Sequence, residues 1–394
     1  MDSNRLSRIS EFMQQYIDSG KSAGMQALVF HRGQEVFFDQ VGYRNTASQT
    51  PIEDDTLFRI YSMTKAITSV ALMSLLEKGF FQLDDAVEKW IPQMADLRVY
   101  GEEGKLEPLR HPISFRHLLT HTAGFSYGFS PDTHPVEKQY DELWRTDSPP
   151  GKLADLLQDI FQIPLLFQPG SRWNYSVATD ICGYLVELIS GQSLAEFMEQ
   201  QIFDPLEMSD TSFIVPAEKA HKLATLYGLK GDESMAVLRQ NDRLSYIDYR
   251  HNDKLRLFSG GAGLVSTARD YLKFARMLLN GGVLNDHRIL GRKTVEWMTQ
   301  NHLDHTLLPL SYNGIVPQLL TSYGFGLGFC VNLDATKSGT LGSTGDFGWG
   351  GMADTYCWID PKEQLIGILM QQFIPSLHHA GRRDFRNTVY QALA

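Results

Sequence analysis

From Ile67 to Leu76 no residue is charged, and apolar side chains fall on every face of the helix they would form. A helix apolar all round is a buried central helix. Glu77 and Lys78 mark its return to water, and Gly79 supplies a left-handed stop. Residues 4–18 read differently, with Leu6, Ile9, Phe12, Met13 and Tyr16 on one side of an amphipathic helix. MQALVFH and EVFFDQVGY, around Arg32-Gly33-Gln34, predict a β-hairpin. Near the other end, GFGLGFCVNL, ADTYCWID and QLIGILMQQF read as successive strands, the last two joined at Asp360-Pro361-Lys362. A helix over roughly 376–393 closes the chain.

The middle is mainly helical and rich in loops. RHLLTHTAGF predicts a short helix ending near Gly124, and residues 125–152 show aromatics and turn residues with little periodicity. A helix is expected over about 176–190, closed by Gly191, and Ser193-Leu194-Ala195-Glu196 opens the next with a capping box. Charge is dense from 231 to 256 without a clear order. Thr267 and Asp270 then start a helix through Leu279, stopped by Gly281-Gly282. The expected fold is α+β: an antiparallel sheet built from both chain ends and flanked by helices. The sheet domain would comprise 1–83 and 261–394, with 84–260 inserted as a mainly helical domain and the active site between them.

Composition narrows the class. With 43% hydrophobic and 11% aromatic residues, the chain of 394 residues fits a globular enzyme. A net charge of −10 without a block of basic residues argues against nucleic acid or an anionic membrane as partner. Cys182, Cys330 and Cys357 are widely spaced and suggest neither a metal site nor a disulfide framework. Acids interrupt the N-terminal bases, no signal-peptide core follows, and no stretch reaches membrane-span length. The expectation is a cytoplasmic protein with reduced thiols, no cofactor and no metal. Its oligomeric state is not encoded in any pattern found.

The central helix begins with Ser62-Met63-Thr64-Lys65. Ser62 is a plausible N-cap, and Lys65 sits one turn later on the same face. Burial favours a neutral amine, which can take a proton from a serine hydroxyl. A helix N-terminus also offers N–H groups to a developing oxyanion. Ser-x-x-Lys alone is a short pattern that also arises by chance. Tyr175-Ser176-Val177 stands at a turn before a helix, where a phenol can relay protons. Trp349-Gly350-Gly351 falls on an expected edge strand, where glycines allow a substrate close to the backbone.

In this order the three motifs resemble those of the serine β-lactamase and penicillin-binding-protein superfamily. Tyr175-Ser176-Val177 is similar to the Tyr-x-Asn of class C enzymes without the asparagine, and Trp-Gly-Gly replaces Lys-Thr-Gly. That combination looks like the family VIII carboxylesterases, which share the class C β-lactamase fold, and the likeness extends over nearly the whole chain. The resemblance implies an acyl-enzyme on Ser62, with Lys65 and Tyr175 handling protons and the N–H groups of Ser62 and Met352 forming the oxyanion hole. Trp349 and Val177 remove an ionic and a polar anchor, which points to neutral esters of short to medium acyl chains. Acyl transfer, weak β-lactamase or D-peptidase activity, and an inactive binding protein follow as alternatives. Phe125, Tyr127 and Trp144, in the irregular segment 125–149, are expected to form one wall of the pocket, with Trp349 opposite. Gly124-Phe125-Ser126-Tyr127-Gly128 also matches a nucleophile elbow, but no strand precedes it as that motif requires.

Overall fold

A computed structural model describes residues 1–145, 151–229, 235–238, 257–311 and 320–393. The start of the chain supplies β1 (Gly24–His31), β2 (Gln34–Asn45) and β3 (Thr50–Pro51). Its end supplies β4 (Tyr323–Phe325), β5 (Cys330–Asn332), β6 (Phe347–Gly350), β7 (Tyr356–Asp360) and β8 (Leu365–Met370). All join in one eight-stranded sheet, in the order β4-β5-β6-β7-β8-β1-β2-β3. The central pairing of β1 with β8 is antiparallel, Gln26 opposite Met370 and His31 opposite Leu365.

Alternation along the strands gives the sheet two apolar faces. Met25, Ala27 and Val29 of β1, with Leu365 and Leu369 of β8, face helices α1 (Arg8–Asp18) and α8 (Gly381–Gln391). Leu28, Phe30, Ile366 and Ile368 point the other way, into the core that holds helix α2 (Thr64–Glu77). That same core includes residues of α3 (Phe115–Leu119), α5 (Ala178–Ser190) and α6 (Leu194–Met198). Helix α2 thus has the sheet on one side and helices on the other. Every residue from Thr64 to Leu75 is buried, Lys65 among them, and from Ile67 onward the absence of charge agrees with that burial.

The α+β expectation holds, and several local expectations are corrected. The N-terminal helix breaks at Ser7, between Ser3–Leu6 and Arg8–Asp18. GFGLGFCVNL is a hairpin, β4 and β5, rather than one strand. Its turn residue Gly328 has φ +92°, and a Cβ there would come within 2.1 Å of Ser69 Oγ on α2. Helix α3 stops at Leu119, short of Gly124, and the closing helix starts at Gly381. The segment 125–152 contains helix α4 (Pro135–Leu143), started by His134 and Pro135. Except for 235–238, the charged stretch 231–256 lies outside the described residues. Helix α7 (Ala268–Leu279) begins where expected, with Thr267 accepting the Asp270 N–H. Among the described residues no helix is long and apolar enough to cross a membrane.

Candidate active site

Ser62 occupies a 3₁₀ turn, Tyr61–Met63, that runs directly into α2. It is therefore not the N-cap that its sequence position suggested. Met63 holds the cap position without a side-chain bond, which leaves the Ser62 hydroxyl for other partners. Ser62 is half-buried, whereas Lys65 is 2% exposed. Lys65 Nζ lies 3.3 Å from Ser62 Oγ and donates to the Gly261 carbonyl at 2.7 Å. Burying a lysine is tolerable only where its hydrogens find acceptors. Two aromatic faces complete its surroundings, with Nζ 4.7 Å from the Tyr175 ring centroid and 5.0 Å from that of Tyr127. Tyr61, immediately before the serine, has φ +42°, a strained conformation for so bulky a residue. Residues held this way cluster at active sites.

Tyr175 enters from the turn that precedes α5, and it is 6% exposed. Trp349 of β6 donates its indole N–H to Tyr175 Oη at 3.1 Å, with ring centroids 5.2 Å apart. Behind Tyr175 lies His121, its ring 4.9 Å away and its Nδ1 3.2 Å from Ser176 Oγ. Burial, with the nearby charge of Lys65, holds the His121 imidazole well below its usual pKa. It is therefore neutral and adds no cation beside Lys65.

The Trp-Gly-Gly stretch does not lie on a sheet edge, because β6 runs between β5 and β7. However, β5 pairs only as far as Phe347 and Gly348, so Trp349 and Gly350 pair with β7 alone. The edge predicted from the sequence exists locally, made by the shortness of β5. A Cβ on Gly351 would meet Ile60 O at 2.4 Å and Thr355 Oγ1 at 2.2 Å. Glycine here lets the turn carrying Met352 close against the backbone leading into Ser62.

The expected aromatic wall divides. Tyr127 is half-buried, with its ring 5.5 Å from that of Tyr175, and Trp144 donates its indole N–H to the Tyr127 carbonyl at 2.8 Å. Phe129, 49% exposed, stacks on Tyr175 with centroids 6.3 Å apart. Phe125 and Val177 are both 0% exposed and belong to the main core. As walls of an open pocket they are corrected: each turns away from the cleft into the packing around α5.

Sequence reasoning missed several neighbours. Trp173, two residues before Tyr175, clusters with it, and Leu303, Leu310 and Phe325 bring apolar surface from the far end of the chain. Asp180 on α5 accepts from Ser259 Oγ at 2.6 Å and from the Gly261 N–H at 3.0 Å. It thereby holds the peptide just before the one whose carbonyl receives Lys65. Only the spacing of Asp180, five residues after Tyr175, could have flagged it.

The Beta-lactamase family model matches residues 9–388, and the chain belongs to that family. Lovastatin esterase of Penicillium rubens is 30% identical over 404 residues, covering 95% of this chain and 96% of that protein. Monacolin J acid methylbutanoyltransferase of Aspergillus terreus is 28% identical over 361 residues, covering 86% of this chain and 83% of its own. The solved structure of EstCE1, titled a hydrolase with promiscuous acyltransferase activity, superposes with a TM-score of 0.80 at 26% identity, covering 98% of each chain.

Proposed function

We propose that this protein is a serine carboxylesterase of the family VIII kind, cleaving neutral esters of short to medium acyl chains. The observation carrying this reading is the buried Lys65 amine, 3.3 Å from Ser62 Oγ and flanked by the Tyr175 ring. Ser62 Oγ attacks the ester carbonyl while its proton passes to Lys65, assisted by Tyr175. The carbonyl oxygen becomes an oxyanion held by the N–H groups of Ser62 and Met352. Collapse breaks the bond to the alcohol oxygen, which takes a proton from Tyr175 and leaves. Water then attacks the acyl-enzyme and gives a proton to Tyr175; as the bond to Ser62 Oγ breaks, that oxygen takes back the proton held on Lys65 and the acid leaves. The site lies in the cleft between 1–83 with 261–394 and the helical insert 84–260.

Trp349 stands where β-lactamases place a lysine, and its indole N–H is directed to Tyr175. A substrate carboxylate against that ring would lack a cation, which favours uncharged esters. Trp349, Gly350 and Gly351 form one side of the substrate cleft, with Tyr127 and Trp144 facing them. Labelling with a fluorophosphonate and mapping the modified peptide tests the reading directly: the label belongs on Ser62. An unlabelled protein would favour the inactive binding protein instead.

Acyl transfer is the second reading, favoured by the likeness to the methylbutanoyltransferase. An alcohol would replace water at the second step, with the same residues acting. Supplying p-nitrophenyl butyrate with excess alcohol and measuring butyrate against butyryl ester separates the two. A nitrocefin rate comparable to ester turnover would instead place β-lactam hydrolysis first.

A further inference from the structure

The Gly350-Gly351-Met352 turn contains two consecutive glycines, which makes its peptide planes the easiest in the site to rotate. In a trans peptide the C=O and the following N–H point in opposite directions. The direction of the Gly351 carbonyl therefore decides where the Met352 N–H points. Two donors hold that carbonyl: Arg382 Nη2 at 2.5 Å and the Asp354 N–H at 3.1 Å. A Cβ on Gly350 would stand 2.2 Å from Arg382 Nη1, so the guanidinium lies directly along the turn.

Arg382 is itself held. Its Nε is 2.6 Å from Asp354 Oδ1 in an ion pair whose side chains are 13% and 3% exposed. Asp354 also accepts from Gln371 Nε2 at 2.7 Å and from the Leu377 N–H at 3.3 Å, and its own φ is +63°. The guanidinium is 5.7 Å from the Tyr356 ring centroid. A mostly buried arginine matched by a buried carboxylate is built to hold backbone rather than to meet a substrate anion.

We propose that Arg382 is a positioning residue for ester cleavage: by holding the Gly351 carbonyl it aims the Met352 N–H at the developing oxyanion. This rests on the oxyanion-hole reading above. A released Gly351–Met352 peptide could rotate its carbonyl oxygen into the place of the donor. The hole would then have lost one of its N–H groups and gained a repulsive oxygen.

The test uses the full-length protein with Arg382→Met, Arg382→Lys and Asp354→Asn, p-nitrophenyl butyrate, and an alkyl boronic acid as transition-state mimic. Arg382→Met should lower kcat by about 100-fold, the scale of a lost oxyanion donor, and leave KM within about threefold. The boronic acid inhibition constant should rise in parallel. Arg382→Lys, which keeps a donor, should recover part of kcat, and Asp354→Asn should fall between them with its arginine intact. A raised KM at unchanged kcat would overturn the proposal in favour of direct substrate contact. So would wild-type kcat per folded molecule in Arg382→Lys and Asp354→Asn alike, with only melting temperature lowered. If Ser62→Ala is inactive while Arg382→Met turns over normally, the clamp alone fails. If Ser62→Ala stays active, the nucleophile assignment fails instead.

Discussion

Ser62 and Ser126 each sit in a short hydrolase-like pattern, yet their surroundings are opposite. Ser62 is half-buried at the mouth of a helix, with an amine 3.3 Å from its oxygen. Ser126 is 1% exposed and donates to Glu137 Oε1, a carboxylate that is itself fully buried. The Ser126 hydroxyl also accepts the Gly128 N–H at 3.3 Å, and Glu137 Oε2 accepts the Ser130 N–H at 3.3 Å. One serine has an amine beside its oxygen and an open side, the surroundings that the proposed nucleophile needs. The other is a staple that satisfies backbone groups in a loop and leaves no room for a carbonyl to approach. Motif and chemistry part where burial closes the path to substrate.

The comparison is broken most decisively by alanine at each serine. Ser62→Ala should reduce ester turnover by about 10⁴-fold or more, the scale at which nucleophile loss leaves only binding and the oxyanion hole. Lys65→Met should cost about 10²–10⁴-fold in kcat, the range of general base catalysis. Steady-state rates on p-nitrophenyl butyrate check both. Ser126→Ala should keep kcat within about twofold and lower stability by about 1–3 kcal/mol, since Glu137 loses a buried partner. Denaturant unfolding measures that loss, and a 1,000-fold fall in kcat at unchanged stability would reverse the roles of the two serines.

At Tyr127, the next residue, and at Trp144, just past helix α4, the effect should change in kind again. Tyr127→Ala and Trp144→Ala should raise KM by about 3- to 10-fold and shift the preferred ester size, with kcat less affected. Equal loss on every substrate with a lowered melting temperature would make these rings core.

The smallest effect is a pH slope. His121 is neutral when folded because burial holds its pKa well below 6.5. Above pH 6.5 both folded and unfolded forms are neutral, and this group does not affect stability. Below it the unfolded chain takes up a proton that the folded site refuses, so stability falls by up to about 1.4 kcal/mol per pH unit. His117 and His302 are also lowered, mainly by burial, and add in the same direction. His121→Asn, which tolerates the residue's φ of +56°, should flatten the fall of melting temperature between pH 6.5 and 5. An unchanged slope would remove His121 from the account.

Legibility followed distance along the chain. The pairing of Ser62 with Lys65 was visible because three residues on a helix are one turn, whatever surrounds it. The α2 run declared its burial by lacking charge, and the Arg32-Gly33 hairpin and the Ser193 capping box declared themselves by local chemistry. In 125–152 the aromatic content was visible but the direction of each ring was not. Phe125 and Tyr140 turned inward to 0% exposure, while Tyr127 and Phe129 turned toward Tyr175.

The sequence by itself determined the α+β class, a sheet drawn from both ends and a serine three residues before a lysine at the start of a buried helix. These rest on periodicity and on spacings of a few residues, where backbone geometry alone sets what meets what. Only the tertiary structure decided that Trp349 bonds Tyr175 across 174 positions and that Gly261 receives Lys65 across 196. It also decided that Arg382 grips the Gly351 carbonyl. Such contacts exist because packing the sheet against α2 and α5 brings distant backbone together. No local propensity records which carbonyl a buried lysine or arginine will find there.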